Sequence, residues 1–234
     1  MDMKRVVVLT GAGISAESGL GTFRGSNGLW EGHDVQEVAS PEGFARDPEL
    51  VLNFYNERRA QANQAHPNPG HLALKELEEH YDVVIITQNV DDLHERAGSS
   101  QVLHLHGELK LARSVADEQC VIEWDQDIHL GDKAPDGQQL RPHIVWFGEA
   151  VPMIVEAAQV MATADIVIIV GTSLVVYPAN TLMDFARQEC PIYVVDPYRP
   201  QFSSENPVIF YEEIGSTGVP KLVQHLIDAK NQEI

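Results

Sequence analysis

Val6-Val7-Val8-Leu9-Thr10-Gly11-Ala12-Gly13-Ile14-Ser15-Ala16-Glu17-Ser18-Gly19 is the stretch whose reading decides the fold. A β-branched run without alternation predicts a strand buried on both faces, as in a parallel sheet covered by helices. Gly11 ends the strand, and Gly11-x-Gly13-x-x-Ala16 has the spacing of a dinucleotide turn, where free N–H groups and a helix start face an anion. A plain glycine turn is the alternative. No strand ending in an acidic residue follows about 20 residues on, as a hydride-transferring enzyme would require. The chain runs instead into Thr22-Phe23-Arg24-Gly25.

Outward from this turn, strand signals recur at 83–87, 102–106, 141–147, 165–170, 192–195 and 208–211. Helices are expected to open at Ser40-Pro41, leading into 48–64, and at Asn68-Pro69, each with a capping residue before a proline at the first helical position. Further helices are expected over 153–162, 178–189 and 220–229. Residues 19–40 read as a long loop of the kind functional lids use, and 109–140 as an irregular excursion. The alternation predicts an α/β fold: a Rossmann-like, doubly wound parallel sheet with a ligand crevice beyond the carboxyl ends of its strands. One domain over 1–234 is expected. Its large part comprises about 1–31, 82–108 and 141–234, and its smaller part, a helical insert plus the excursion, about 32–81 and 109–140.

The 234 residues are 44% hydrophobic, enough for a substantial core, and carry a formal net charge of −19. That charge argues against a nucleic-acid partner, whose phosphates need clustered Lys and Arg, and favours basic partners through long-range steering. The longest apolar runs fall far short of the roughly 20 residues of a membrane helix, and the start does not read as a signal peptide. A cytoplasmic protein is expected. The only cysteines, Cys120 and Cys190, form no disulfide framework.

Candidate site residues lie at expected strand ends. Gln88, Asn89 and Asp91 follow one strand, where amides and a carboxylate suit ribose hydroxyls or a carboxamide; a helix cap is the competing reading. His104 and His106 alternate and share a face. A metal site would need a third ligand, and no clear partner set is evident in the sequence; a hydrogen-bonded core histidine and a general base are the other readings. His106, beside Gly107, is the better-placed base. Tyr55 and Arg58, spaced i,i+3, share a helix face, as would a partly buried aromatic beside a solvated charge.

Gly11-Ala12-Gly13-Ile14-Ser15, Thr22-Phe23-Arg24-Gly25, Thr87-Gln88-Asn89-Val90-Asp91, His104-Leu105-His106-Gly107-Glu108, Val145-Trp146-Phe147-Gly148-Glu149 and Gly171-Thr172-Ser173 occur in this order. In this the chain resembles the sirtuins, NAD-dependent protein-lysine deacylases, most closely bacterial members of the desuccinylase and demalonylase type. The resemblance implies NAD as a consumed cosubstrate, with nicotinamide, free lysine and 2′-O-acyl-ADP-ribose as products. It makes His106 the base for a ribose hydroxyl and Asn89 a catalytic positioning group. Gly11, Ala12, Gly13, Ile14, Ser15, Arg24, Gln88, Asp91, Gly171, Thr172, Ser173 and Asp196 join them in holding the cofactor, while Phe23 screens the reacting sugar from water. Val145, Phe147, Gly148, Glu149 and Val176 fall where a substrate peptide would pair as a strand. Tyr55 and Arg58 match the acyl-pocket signature for carboxylated acyl groups, which a guanidinium binds in a bidentate way; Arg59 points about 100° away.

The chain departs from the family pattern in three places. Only Cys120 stands where most sirtuins carry four zinc cysteines, with Ser114 near the first expected position, so no zinc is expected and packing around Cys120, Ile122 and Trp124 should hold that module. Gly21 replaces a common proline, giving the cofactor loop more backbone freedom. Asp196 replaces a common asparagine, and its charge disfavours NADP. The expected partners are acylated lysines of proteins, with no nucleic acid and no membrane, and a monomer is expected. Protein ADP-ribosyl transfer and a non-catalytic NAD-sensing module are the alternatives.

Overall fold

The opening β-branched run is buried completely: Val6, Val7, Val8 and Leu9 are all at 0% exposure. The computed structural model describes residues 3–22, 29–30 and 32–232. In chain order the elements are β1 (Arg5–Thr10), two short 3-10 turns (Ala12–Ile14 and Ala16–Ser18), β2 (Leu29–Trp30), β3 (His33–Asp34), α1 (Val35–Val38), α2 (Pro41–Arg46) and α3 (Pro48–Gln64). There follow α4 (Pro69–Leu77), β4 (Asp82–Thr87), α5 (Leu93–Arg96), β5 (Val102–His104), β6 (Gly107–Ser114), β7 (Val121–Glu123) and β8 (Leu140–Ile144). The chain ends with α6 (Ile154–Met161), β9 (Ile166–Val170), a 3-10 segment (Ala179–Phe185), β10 (Ile192–Val195), β11 (Val208–Tyr211) and α7 (Gly215–Gln232).

The main sheet has the order β11-β10-β9-β1-β4-β5, and every neighbouring pair in it is parallel. From β1 the chain builds β4 and β5 on one side, then returns to build β9, β10 and β11 on the other. The strand order therefore reverses between β1 and β9, where a doubly wound sheet opens a ligand crevice. Val6 and Val8 pack into a core with α4 and α7. Val7 and Leu9 pack into a second core with α6 and the 3-10 segment. Burial on both faces explains the run's lack of alternation, each such side chain contributing roughly 1.5–3 kcal/mol.

The helix signals at Ser40 and Asn68 operate as read: Ser40 Oγ accepts from Gly43 N at 2.9 Å, and Asn68 forms a capping box with His71 at the start of α4. Ala73, Leu74 and Leu77 of α4 lie in the core of the parallel sheet, although the sequence grouped this helix with the small part. α7 starts at Gly215, five residues before Pro220. Its opening Gly-Ser-Thr-Gly reads as a loop, but a Cβ at Gly218 would come 2.5 Å from Val195 Cγ1, so the glycine lets the helix lie against the sheet. The helix expected over 178–189 is the shorter 3-10 segment.

Two expectations are overturned in the small part. Residues 109–140 are not irregular throughout, and the strand expected over 141–147 does not join the main sheet. β6, β7 and β8 form a separate antiparallel sheet in the order β7-β6-β8. Leu52, Ala112, Ile128, Ala134 and Leu140 make its core, with Cys120, Ile122 and Trp124 partly buried against it. Asn56 of α3 ties this module down by donating to Ile128 O (3.0 Å) and accepting from Ile128 N (2.9 Å). Ser114 Oγ accepts from Ala116 N at 3.0 Å, and the Ser114 hydroxyl also bonds Asp136, holding that carboxyl below its ordinary range. The other cysteine, Cys190, belongs to a core of the main sheet, so the chain has no four-thiolate set to offer a zinc ion.

Candidate active site

A cavity of about 900 Å³ opens beyond the carboxyl ends of β1, β4, β9 and β10, between the main sheet and the small part. The turn after β1 brings Gly11, Ala12, Gly13 and Ser15 to it, the end of β4 brings Gln88, Asn89 and Asp91, and the end of β9 brings Gly171, Thr172 and Ser173. His106, Asp196 and Val176 also line it, as do Tyr55 and Arg58 of α3 and Val145, Phe147, Gly148 and Glu149 after β8. Ile14 does not: it is fully buried in the core, and its carbonyl accepts from Asn68 Nδ2 at 2.7 Å. Phe23 and Arg24 lie outside the described residues.

The opening turn is built differently from the sequence reading. Gly11 N donates to Val170 O (3.0 Å), Gly13 N to Gly171 O (2.9 Å), Ile14 N to Gly11 O and Ser15 N to Ala12 O. These N–H groups are engaged within the protein rather than left to face an anion. The glycines serve backbone packing: a Cβ on Gly13 would come 2.6 Å from Gly171 Cα, and Gly171 itself has φ +60, a region favouring glycine. The two loops that diverge at the sheet's switch point are thus pressed together.

Polar side chains are locked in a chain across this floor. Asn89 Nδ2 donates to Ser15 Oγ (3.1 Å), and Ser15 in turn bonds the buried Asp91 carboxyl. Burial dominates at Asp91 and raises its pKa, against the opposing bonds from Leu93 N and Ser15. Gln88 Nε2 reaches Thr172 Oγ1 at 2.9 Å. His106 Nδ1 faces Gln88 O at 3.0 Å. A carbonyl can only accept, so Nδ1 carries the proton and Nε2 keeps a lone pair. Burial lowers the His106 pKa more than the Gln88 bond raises it, which keeps the ring neutral at neutral pH, its Nε2 able to take up a proton.

On the other wall, Tyr55 is 1% exposed and Arg58 7%. The Tyr55 ring lies 6.3 Å from the Trp146 ring, and the Arg58 guanidinium carbon 5.2 Å from the Trp30 ring centroid. Burial raises the Tyr55 phenol pKa strongly, so it stays a neutral donor. Arg59 is turned away, donating to Leu109 O (2.8 Å) and Asn56 Oδ1 (3.0 Å).

Glu149 lines the cavity but turns its carboxylate into the protein. Its carboxylate is taken by Arg141 (2.6 Å), Arg113 (3.1 Å) and Trp146 N (2.8 Å). Burial opposes its charge, but these bonds prevail and its pKa falls. It braces Trp146, whose ring lies 3.3 Å from the Arg141 guanidinium carbon. In the segments at 145–149 and 174–176, Val145 N donates to His106 O, Phe147 N to Ala39 O, and Leu174 has φ 55. Trp30 and Trp146 as cavity walls, and Arg113 and Arg141 as braces, were missed from sequence. Only the aromatic and basic residues flanking expected site segments hinted at them.

This arrangement defines a dinucleotide-binding α/β protein with a neutral histidine at the floor of its crevice. Residues 11–178 match the Sir2 family, and the chain belongs to it. It is 52% identical over 232 residues to an NAD-dependent protein deacylase of Helicobacter pylori strain J99, covering 99% of each chain. It is 49% identical to one of Bacteroides thetaiotaomicron, covering 97% of this chain and all of that one. A crystal structure of a Sir2 homolog–NAD complex superimposes with a TM-score of 0.86 at 38% identity, over 97% of this chain and 91% of that one.

Proposed function

We infer that the protein removes acyl groups from lysine side chains of other proteins while consuming NAD, and that carboxylated groups such as succinyl and malonyl are among those removed. The observation that carries this reading is that His106 and Asn89, on one side, and Tyr55 and Arg58, on the other, line one cavity. The relatives named NAD-dependent protein deacylase over nearly the full length support the reaction class.

The residues fit NAD. The crevice sits at the switch point of the sheet, and Gln88, Asn89, Asp91 and Asp196 bring amides and carboxylates of the kind that hold ribose hydroxyls and a carboxamide. Bound NAD supplies the ribose carbon from which nicotinamide departs and the hydroxyl that receives the acyl group. Asn89, Ser15 and Asp91, already joined by hydrogen bonds, orient that sugar, and positioning of this kind lowers the barrier. His106 Nε2 takes the proton from the hydroxyl. Arg58 and Tyr55 receive a carboxylate at the far end of the acyl chain. Asp196 disfavours a phosphate on the adenosine ribose. The protein works in this reading as a cytoplasmic monomer on acylated proteins; no helix among the described residues is long and apolar enough to cross a membrane.

The test is incubation with NAD and matched acetyl-, succinyl- and unmodified lysine peptides, followed by peptide and nucleotide masses. Free lysine peptide with acyl-ADP-ribose is expected. ADP-ribosylated peptide, or no turnover, would overturn the reading. Arg58→Met should lower desuccinylation at least about tenfold more than deacetylation, as loss of a charged hydrogen-bonded pair requires. Equal losses would remove the carboxylated-acyl assignment.

A further inference from the structure

Three successive carbonyls of the loop after β4 are held from one neighbouring segment. Gln88 O faces His106 Nδ1 (3.0 Å), Asn89 O faces His104 Nδ1 (3.0 Å), and Val90 O accepts from Leu109 N (2.8 Å). Asn89 is fixed at two other polar groups too: its N donates to Thr87 Oγ1 (3.0 Å) and its Nδ2 to Ser15 Oγ (3.1 Å).

His104 differs from His106 in one respect. Its second nitrogen, Nε2, lies 2.8 Å from the Glu95 carboxylate, and its side chain is only 7% exposed. Both ring nitrogens therefore face groups that only accept, and a neutral imidazole has a single N–H to offer. We propose that His104 is a positioning residue for the reaction: as an imidazolium held between Glu95 and the Asn89 carbonyl, it fixes the backbone from which Asn89 reaches into the cavity. This rests on the deacylase reading of the site.

The surroundings agree with a charge at this position. Burial opposes it, but the hydrogen bond and charge of Glu95, with the Asn89 carbonyl, prevail and raise the His104 pKa. Asp91 and Glu108 also face the ring, His94 opposes it, and Glu108 is itself paired with Lys110 at 3.4 Å. Glu95, His104 and Glu108 approach closely enough to embrace a cation. With Nε2 bonded to Glu95 and Nδ1 to a carbonyl, the ring is read as the cation of the cluster. The two histidines then bracket neutrality. Activity needs His106 without its extra proton, so it falls as pH drops through the lowered His106 pKa. It needs His104 with its extra proton, so it falls again as pH rises through the raised His104 pKa.

The test compares wild type, Glu95→Gln and His104→Gln. Histidine 15N–1H NMR of the protein without NAD should show one imidazolium titrating above the ordinary histidine range, absent in His104→Gln and moved to lower pH in Glu95→Gln. With NAD and acyl peptide, Glu95→Gln should shift the alkaline limb of kcat downward in pH, and His104→Gln should abolish that limb. Each should lower kcat roughly tenfold at pH 8 while the peptide KM stays within about twofold. Thermal melts at pH 6 report whether the variants fold. A neutral His104 in the NMR titration, alkaline limbs superimposable on wild type, or a stoichiometric chelator-sensitive metal in purified protein would each overturn the proposal. Absence of wild-type turnover alongside the expected imidazolium would instead overturn the deacylase reading.

Discussion

The two sheets bury different things. The parallel sheet buries hydrocarbon: Val6 to Leu9, Val167 to Val170 and Ile85 all lie within two percent of full burial, with only hydroxyls at the ends of β1 and β4. The small antiparallel sheet buries ions: Arg113 of β6 is 5% exposed and Arg141 of β8 is 6%, and both close on Glu149. The difference teaches where each sheet's tolerance lies. Hydrocarbon packing is non-directional and gives way in small steps, whereas an ion cluster collapses when one partner goes.

The strongest way to break the comparison is Glu149→Ala, which leaves two buried guanidiniums facing one another. It should cost about 3–5 kcal/mol in denaturant unfolding and disturb Trp146, which Glu149 holds through its backbone N. A loss under about 1 kcal/mol would show that the cluster is solvated and the contrast false.

A second test uses a polar exception in the parallel part. His71 and His94 are fully buried with ring centroids 4.9 Å apart, and His94 Nε2 lies 3.1 Å from Thr10 Oγ1 at the end of β1. Burial holds them neutral, pushing His71 down to about 4 and His94, with His71 beside it, to about 3. The unfolded chain then binds more protons than the folded one in this range. Stability should be fully present above about pH 6.5 and fall as pH drops toward 4, by at most about 1.4 kcal/mol per pH unit for each histidine. Urea unfolding at pH 7 and pH 5 measures it, and equal stabilities would show the pair is solvated. Ile168→Val, at the centre of the parallel sheet, should cost only about 0.5–1.5 kcal/mol in the same assay. Smallest of all, Asp82→Asn should cost less than about 1 kcal/mol, because its pair with Arg5 sits at the sheet's rim with the arginine 36% exposed.

This contrast also explains what the sequence made legible. A strand buried on both faces writes itself as an apolar run, so β1, β4, β9 and β10 were readable, as were caps such as Asn68 before Pro69. β6 was not, and β8 was read as a strand but placed in the wrong sheet, because Arg113 and Arg141 in a strand interior look like surface residues until Glu149, just after β8, neutralises them. The glycines of the opening turn were found for an incomplete reason: spacing identifies a close approach but does not say that Gly171 is what approaches. Most of the cavity lining was legible because polar residues cluster at strand ends. The opposed roles of His104 and His106 were not, since only the position of Glu95 separates them.

The pressing together of the Gly13 and Gly171 loops has a consequence for hydrogen exchange. Loop amides ordinarily exchange quickly through local opening. Gly13 N–H is bonded to Gly171 O, and Gly171 N–H to Val195 O, so these amides tie the ends of β1, β9 and β10 together. They cannot open without parting the centre of the sheet. The floor of the crevice should exchange as slowly as a core strand, a ligand site in which the backbone breathes only when the whole fold does.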